Sequence, residues 1–196
     1  MIKLVIFASG SGTNAENLIK HFKNSQLANI TLVLSNNKNA KVLQRAKKHD
    51  VKTLIFSRKE LYETDYIVEI LKEKADFIIL AGFLWRIPTP LIEVFLNRIV
   101  NIHPALLPKY GGKGMYGMRV HETVKENGEK ESGISIHYVN ERYDEGNIIY
   151  QKKISITPEY SPSDIAAKIH QLEYKYFPII IKNLLRPDCK LDTIDF

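Results

Sequence analysis

Asp76-Phe77-Ile78-Ile79-Leu80-Ala81-Gly82 is a near-continuous apolar run closed by a glycine. A strand without polar alternation is one covered on both faces, as in a parallel sheet held between two layers of helices. The flanking sequence keeps the same rhythm. Lys3 to Ala8, Ile30 to Ser35 and Thr53 to Phe56 read as strands. Between them fall a helix carrying Leu18, Ile19 and Phe22, and a second from about Ala40 to His49. An amphipathic helix from Glu60 to Lys74, with Leu61, Ile67, Val68 and Leu71 inward, leads into the opening run. Alternating strand and helix predicts an α/β fold, a Rossmann-like doubly wound and mainly parallel sheet.

Downstream the pattern changes. Pro90 to Leu96 reads as a short helix, and Ile99-Val100 returns to the sheet. Gly133 to Val139 alternates as a strand, and Ile148 to Ile156 forms the next, with one polar loop between them. Two strands around one loop predict antiparallel strands at the C-terminal side of the sheet. Ser161-Pro162-Ser163-Asp164 then opens a long helix with a cap, an early proline and an acidic first turn. Leu191 to Phe196 reads as a tail. No repeat or linker interrupts the 196 residues, so one domain, 1–196, is expected.

Composition narrows the function. A 44% hydrophobic content supports a sizeable core. The lone cysteine, Cys189, excludes an internal disulfide or a multi-cysteine metal site and fits a reducing, cytoplasmic setting. No segment approaches a membrane span. The net charge of +6 suits an anionic small substrate. The lysines are scattered, with no basic run interleaved with stacking aromatics, so a nucleic-acid partner is not expected.

Three loops carry the chemistry. After the first strand, Ser9-Gly10-Ser11-Gly12-Thr13-Asn14 leads into a helix. Backbone N–H groups at a helix start, with glycines that permit close approach, make a ready anion site; such a loop is equally a tight strand-to-helix turn. Its spacing matches neither the dinucleotide fingerprint nor the Walker motif. After the Asp76 strand, Gly82-Phe83-Leu84-Trp85-Arg86-Ile87-Pro88 offers aromatic walls for a flat ring or ordinary core packing. The third is Asn101-Ile102-His103-Pro104-Ala105-Leu106-Leu107-Pro108-Lys109, read as a stiff loop in which Asn101 and His103 emerge on one side. Alone, His103 could simply cap a carbonyl. With Asp144 within reach, an amide donor, an imidazole and a carboxylate suit attack of an amine on a carbonyl through a tetrahedral intermediate. No serine, cysteine or lysine is placed as a nucleophile, which favours direct transfer. Lys109 to Met118, with four glycines in ten residues, reads as a mobile loop over the site.

On Ser9 to Asn14, Leu80-Ala81-Gly82-Phe83, Asn101 to Tyr110, and Ser135-Ile136-His137-Tyr138-Val139 leading to Asp144, the chain resembles the phosphoribosylglycinamide formyltransferases over almost its whole length. The resemblance implies transfer of a formyl group from 10-formyltetrahydrofolate, as co-substrate, to the amine of 5'-phosphoribosylglycinamide in purine biosynthesis, with no metal. It implies Asn101, His103 and Asp144 as the catalytic trio, the imidazole kept charged by Asp144. Gly12, Thr13, Asn14 and Glu173 become acceptor-binding positions. Arg58, Phe83, Leu84, Trp85, Arg86, Ile87, Val139 and Asn140 become folate-contacting positions, with Ser135 and His137 in support. A homodimer is compatible with it. Trp85 stands as an extra residue before Arg86, and the glycine-rich 111–118 segment is longer than the common form. Deformylases and tRNA formyltransferases share the trio but are expected to carry an additional domain; a sugar-nucleotide formyltransferase would differ in the acceptor.

Overall fold

The computed structural model describes residues 1–186; Cys189 and the Leu191 to Phe196 tail lie outside the described residues. Seven strands form one sheet: β1 Ile2–Phe7, β2 Ala28–Ser35, β3 Lys52–Ile55, β4 Phe77–Leu80, β5 Ile99–His103, β6 Glu131–Tyr138 and β7 Ile148–Ser155. Their order is β3-β2-β1-β4-β5-β6-β7, parallel through β5 and antiparallel for β6 and β7. The fold is the expected doubly wound sheet with an antiparallel C-terminal edge.

Alternation along the buried strands divides their side chains between two cores. Leu4, Ile6, Phe77, Ile79, Val100 and Ile102 pack against α1 Thr13–Phe22, α2 Lys41–Lys48, and the helices α6 Met118–Glu126 and α7 Pro162–Leu184. Val5, Phe7, Ile78, Leu80 and Ile99 face α3 Arg58–Tyr62, α4 Tyr66–Lys74 and α5 Thr89–Val94. The uninterrupted apolar run around β4 is therefore explained by burial on both sides.

Two expectations are corrected. The single helix predicted from Glu60 to Lys74 is two helices, α3 and α4. Ser57 and Glu60 cap α3 reciprocally, the Thr64 hydroxyl donates to the Glu60 carbonyl at 3.1 Å, and the Tyr66 N–H donates to Thr64 Oγ1 at 3.3 Å. Those local side-chain bonds replace a turn of helix. Second, Asn101 and His103 belong to β5 itself, not to the loop after it. They continue the face that carries Ile99, opposite His137 and Ser135 of β6. Four polar residues thus share one face where the apolar core ends.

Buried Ser135 ties the following loop down. Its hydroxyl donates to the Ala105 carbonyl at 2.7 Å and accepts from the Leu107 N–H at 2.9 Å. The Gln151 amide reaches both Ser135 Oγ, at 2.7 Å, and the Leu107 carbonyl, at 3.0 Å. The Leu107–Pro108 peptide is cis. Ser135→Ala leaves the Leu107 N–H without a partner and is expected to cost about 1–3 kcal/mol. Urea unfolding of the variant against the parent measures it.

Candidate active site

The sheet order reverses between β1 and β4, and ligands of such sheets bind outside the strand ends at that crevice. A cleft of about 580 Å³ opens there, with the Gly10–Asn14 turn at one end and Asn101, His103 and Asp144 at the other. The glycine-rich segment forms a third wall through Gly112 to Gly117.

At the first end, Gly12 caps α1 with φ +73° and no side-chain bond. The first helical bond runs from the Glu16 N–H to the Gly12 carbonyl, which leaves the N–H groups of Thr13, Asn14 and Ala15 ahead of the ladder. A Cβ at Gly12 would overlap the Val42 side chain and backbone. The turn is braced by α2: the Val42 N–H donates to the Gly10 carbonyl at 3.2 Å, and Arg45 Nε donates to the Ser11 carbonyl at 3.0 Å while its guanidinium pairs with Glu16. From α7, Glu173 is buried, accepts from Asn14 Nδ2 at 2.9 Å and pairs with His170 Nδ1 at 2.9 Å. The bond to Glu173 holds His170 above its ordinary imidazole value.

At the other end, the loop after β6 starts beside Ile99, where the Val139 N–H meets the Ile99 carbonyl at 2.9 Å, and returns along β5. Gly146 permits the return, since a Cβ there would overlap the Tyr138 carbonyl oxygen. Asp144, at φ +58°, then accepts from the Gly112 N–H at 2.9 Å and from Asn101 Nδ2 at 3.3 Å. It faces His103 Nδ1 and His137 Nε2, each at 3.6 Å.

The proton positions follow from the partners. His137 Nδ1 lies 2.8 Å from the Tyr138 carbonyl, which can only accept, so Nδ1 carries the proton and Nε2 accepts from Asn101 Nδ2 at 3.1 Å. His103 Nε2 likewise donates to the Tyr110 carbonyl at 2.7 Å, leaving Nδ1 toward Asp144. Burial lowers the His103 pKa, and the facing Asp144 only partly offsets it. The expectation of a standing imidazolium is therefore reversed: the resting ring is neutral. Burial also works against ionisation of Asp144, but in the acid range where it titrates the facing His137 and His103 rings are protonated, and together with the Gly112 N–H they hold its carboxyl below the usual value.

Most of the other sequence-derived positions line one of two cavities beside this centre. Phe83 and Leu84 line the large cleft. Trp85, Arg86, Ile87, Val139 and Asn140 surround an adjoining cavity of about 50 Å³ that shares Asn101 and Asp144 with the cleft. Arg58 lines neither cavity; its guanidinium lies over Tyr62 at 5.1 Å and Trp85 at 5.8 Å. Trp85 also sits edge-on to Phe56, at 6.1 Å between centroids, and the Tyr62 hydroxyl donates to the Arg86 carbonyl at 2.7 Å. The extra aromatic is thus absorbed into the wall. Sequence reasoning missed His121 and His170, which line the cleft, and the Arg45–Glu16 brace. Only His121, a histidine between Val120 and Val124 on a buried helix face, left a signal that could have been read.

Among the described residues no group of three or more His, Cys, Asp or Glu could hold a metal, and no helix is long and apolar enough to cross a membrane.

A doubly wound sheet thus presents an amide, an imidazole and a carboxylate in one cleft with a helix start whose first N–H groups lie ahead of the helical ladder. The chain belongs to the formyl transferase family, whose model matches residues 2–181. Among curated relatives it is similar to the phosphoribosylglycinamide formyltransferase of Haemophilus influenzae, 36% identical over 188 residues, covering 93% of this chain and 86% of that protein. The Bacillus subtilis protein of the same name is 34% identical over 191 residues, covering 94% and 95%. The chain spans less than two thirds of the chloroplastic plant relatives, 64% of the Arabidopsis thaliana protein and 60% of the Vigna unguiculata one. The crystal structure of the Bacillus halodurans phosphoribosylglycinamide formyltransferase superposes with a TM-score of 0.82 at 36% identity, covering 94% of this chain and 95% of that one.

The buried imidazoles make stability depend on pH. Burial lowers the His121 pKa from 6.5 to about 4, so the unfolded chain binds more protons. This contribution is complete above about 6.5 and is lost as the pH falls toward 4. The urea midpoint is expected to drop across that window, and His121→Leu to flatten the drop.

Proposed function

We propose that this chain, as a single formyltransferase domain, moves the formyl group of 10-formyltetrahydrofolate to the amine of 5'-phosphoribosylglycinamide. The observation that carries the reading is the shared cleft: a helix start with N–H groups ahead of its ladder, and an Asn–His–Asp group of buried His103 and half-buried Asn101 and Asp144, in one continuous space. The acceptor phosphate is taken by the N–H groups around Gly12, Thr13 and Asn14, and its sugar lies toward Glu173. The folate ring enters the smaller cavity between Trp85, Arg86, Ile87, Val139 and Asn140, with Phe83 and Leu84 at its entrance and Arg58 outside on its aromatic support.

The amine attacks the formyl carbon, and the carbonyl oxygen gains negative charge as the nitrogen becomes positive. Asn101 stabilises that oxygen. Its two amide hydrogens are engaged in the free cleft, and the longer bond, 3.3 Å to Asp144, is the one an oxyanion takes over. His103 Nδ1 receives the proton released by the amine, and the facing Asp144 carboxylate supplies the counter-charge. The same proton then passes to N10 as the carbon–N10 bond breaks, giving the formylated acceptor and tetrahydrofolate. No proton is gained or lost overall. His137 holds the Asn101 amide in orientation, and Ser135 holds the loop after β5.

All groups in this scheme come from one chain, so a homodimer is not required for the chemistry. The single cysteine supports a cytoplasmic setting.

The test is spectrophotometric release of folate from a 10-formyl folate with and without the ribonucleotide. Release that requires the ribonucleotide supports the transferase; release without it supports a hydrolase instead. His103→Ala is expected to lower kcat by roughly 100- to 1000-fold. Gly12→Ala should raise KM for the ribonucleotide while leaving the folate KM in place. Because the resting His103 is neutral, the acid limb of kcat/KM should fall below the ordinary imidazole value of 6.5; a limb above it contradicts the assigned proton acceptor.

A further inference from the structure

Arg45 straps the Gly10–Asn14 turn to α2 without itself lining the cleft. Its Nε donates to the Ser11 carbonyl at 3.0 Å, while Nη1 pairs with Glu16 in the first turn of α1. One residue earlier in the turn, the Gly10 carbonyl accepts from the Val42 N–H at 3.2 Å. Two successive carbonyls are therefore drawn toward α2, none of whose residues lines the cleft.

Peptide geometry carries the consequence. A trans peptide is planar, with its carbonyl and its N–H on opposite sides. Among the described residues only Leu107–Pro108 is cis. Holding the Gly10 and Ser11 carbonyls against α2 thus turns the N–H groups of Ser11 and Gly12 away from that helix, and both residues line the cleft. Neither N–H has a hydrogen-bond partner among the described residues. They extend the row of Thr13, Asn14 and Ala15, and successive N–H groups in a turn form a concavity that suits an anion.

Glu16 completes the strap. A carboxylate in the first turn of a helix suits the helix dipole but opposes an anion bound at that end. Here it is taken up by Arg45, by His49 Nε2 at 3.2 Å and by Lys20 Nζ at 3.6 Å. Its carboxylate anchors the guanidinium that holds Ser11.

We propose that Arg45 is a positioning residue for the acceptor phosphate: it fixes the Ser11–Gly12 peptide with its N–H toward the phosphate and never touches the ligand. The inference rests on the formyl-transfer reading and names the side chain that sets the phosphate affinity of that site.

The experiment compares wild type, Arg45→Lys, Arg45→Met and Glu16→Gln in four readouts: KM for the ribonucleotide, KM for the 10-formyl folate, kcat with both saturating, and Tm. Lysine keeps the charge, but an ammonium cannot hold Ser11 and Glu16 together as the guanidinium fork does. Both Arg45 variants should raise the ribonucleotide KM about 10-fold or more, as loss of one hydrogen bond from a charged group gives. Folate KM and kcat should stay within about twofold, since only binding of the acceptor is weakened. Glu16→Gln removes a negative charge from the phosphate end yet loosens the guanidinium, so it too should raise the ribonucleotide KM.

A charge acting at a distance gives the opposite pattern, with lysine equal to arginine and Glu16→Gln lowering the ribonucleotide KM. Either of those results would overturn the assignment. So would a loss shared by both substrates or confined to Tm, since those mark a structural role. Where Arg45→Met fails to fold, the lysine variant decides; failure of both to fold would likewise overturn it. Wild type that shows no ribonucleotide-dependent release would overturn the underlying function, a result distinct from equal KM in wild type and variants.

Discussion

One carboxylate holds the working half of this molecule together. Asp144 accepts hydrogen bonds from the Gly112 backbone and the Asn101 amide, and lies 3.6 Å from the nitrogens of two imidazoles. Those four partners come from β5, β6 and the glycine-rich loop, so three separately encoded segments meet at one charge. A carboxylate only 12% exposed would be costly without partners, and here the partners are the groups proposed to react. The backbone is bent to deliver it. Asp144 sits at a positive φ, and Gly146 lies too close to the end of β6 to admit a side chain.

The division of the sheet explains why the site is where it is. From β1 to β5 the strands are parallel, and the buried part of β1 and the whole of β4 carry only apolar side chains, covered by helices on both faces. At β6 the direction reverses, and its cross-strand pairs with β5 place Asn101 against His137 and His103 against Ser135. The apolar core gives way to a polar one along a single face. That polar face is satisfied almost throughout in the free protein: His137 and His103 each hold a backbone carbonyl, and Ser135 carries three bonds. Catalysis then consists of exchanging a few of these bonds for substrate ones, at a site that needs little reorganisation.

Much of this was legible in the chain. The apolar run at Asp76 to Gly82 implied burial on both faces, and the spacing of Asn101 and His103 put both on one side whether the segment was loop or strand. The reversal at the C-terminal edge followed from two strands around one loop. What escaped was set by side chains reaching across short or long distances. The break between α3 and α4 depends on the Ser57–Glu60 cap and the Thr64 hydroxyl, which interrupt a periodicity that runs on unbroken in sequence. The charge state of His103 depends on how completely the folded chain buries it, against the pull of an Asp whose position alone suggested an imidazolium. Trp85 read only as an extra residue before Arg86; the folded chain takes its ring up between Arg58, Tyr62 and Phe56. His121 was passed over because a histidine among valines on a helix looks like core until its unpaired nitrogen is seen.

The account stands or falls on Asp144 as a charge rather than a shape. Single-turnover formyl transfer by Asp144→Asn, with both substrates saturating, tests this most directly. Asparagine can still accept from Gly112 but cannot balance a proton on His103. The account predicts that both substrates bind with near wild-type affinity while the chemical step slows by roughly 100-fold or more. A chemical step within a few-fold of wild type would show that the carboxylate only positions the loops, and the proposed proton path through His103 would be wrong.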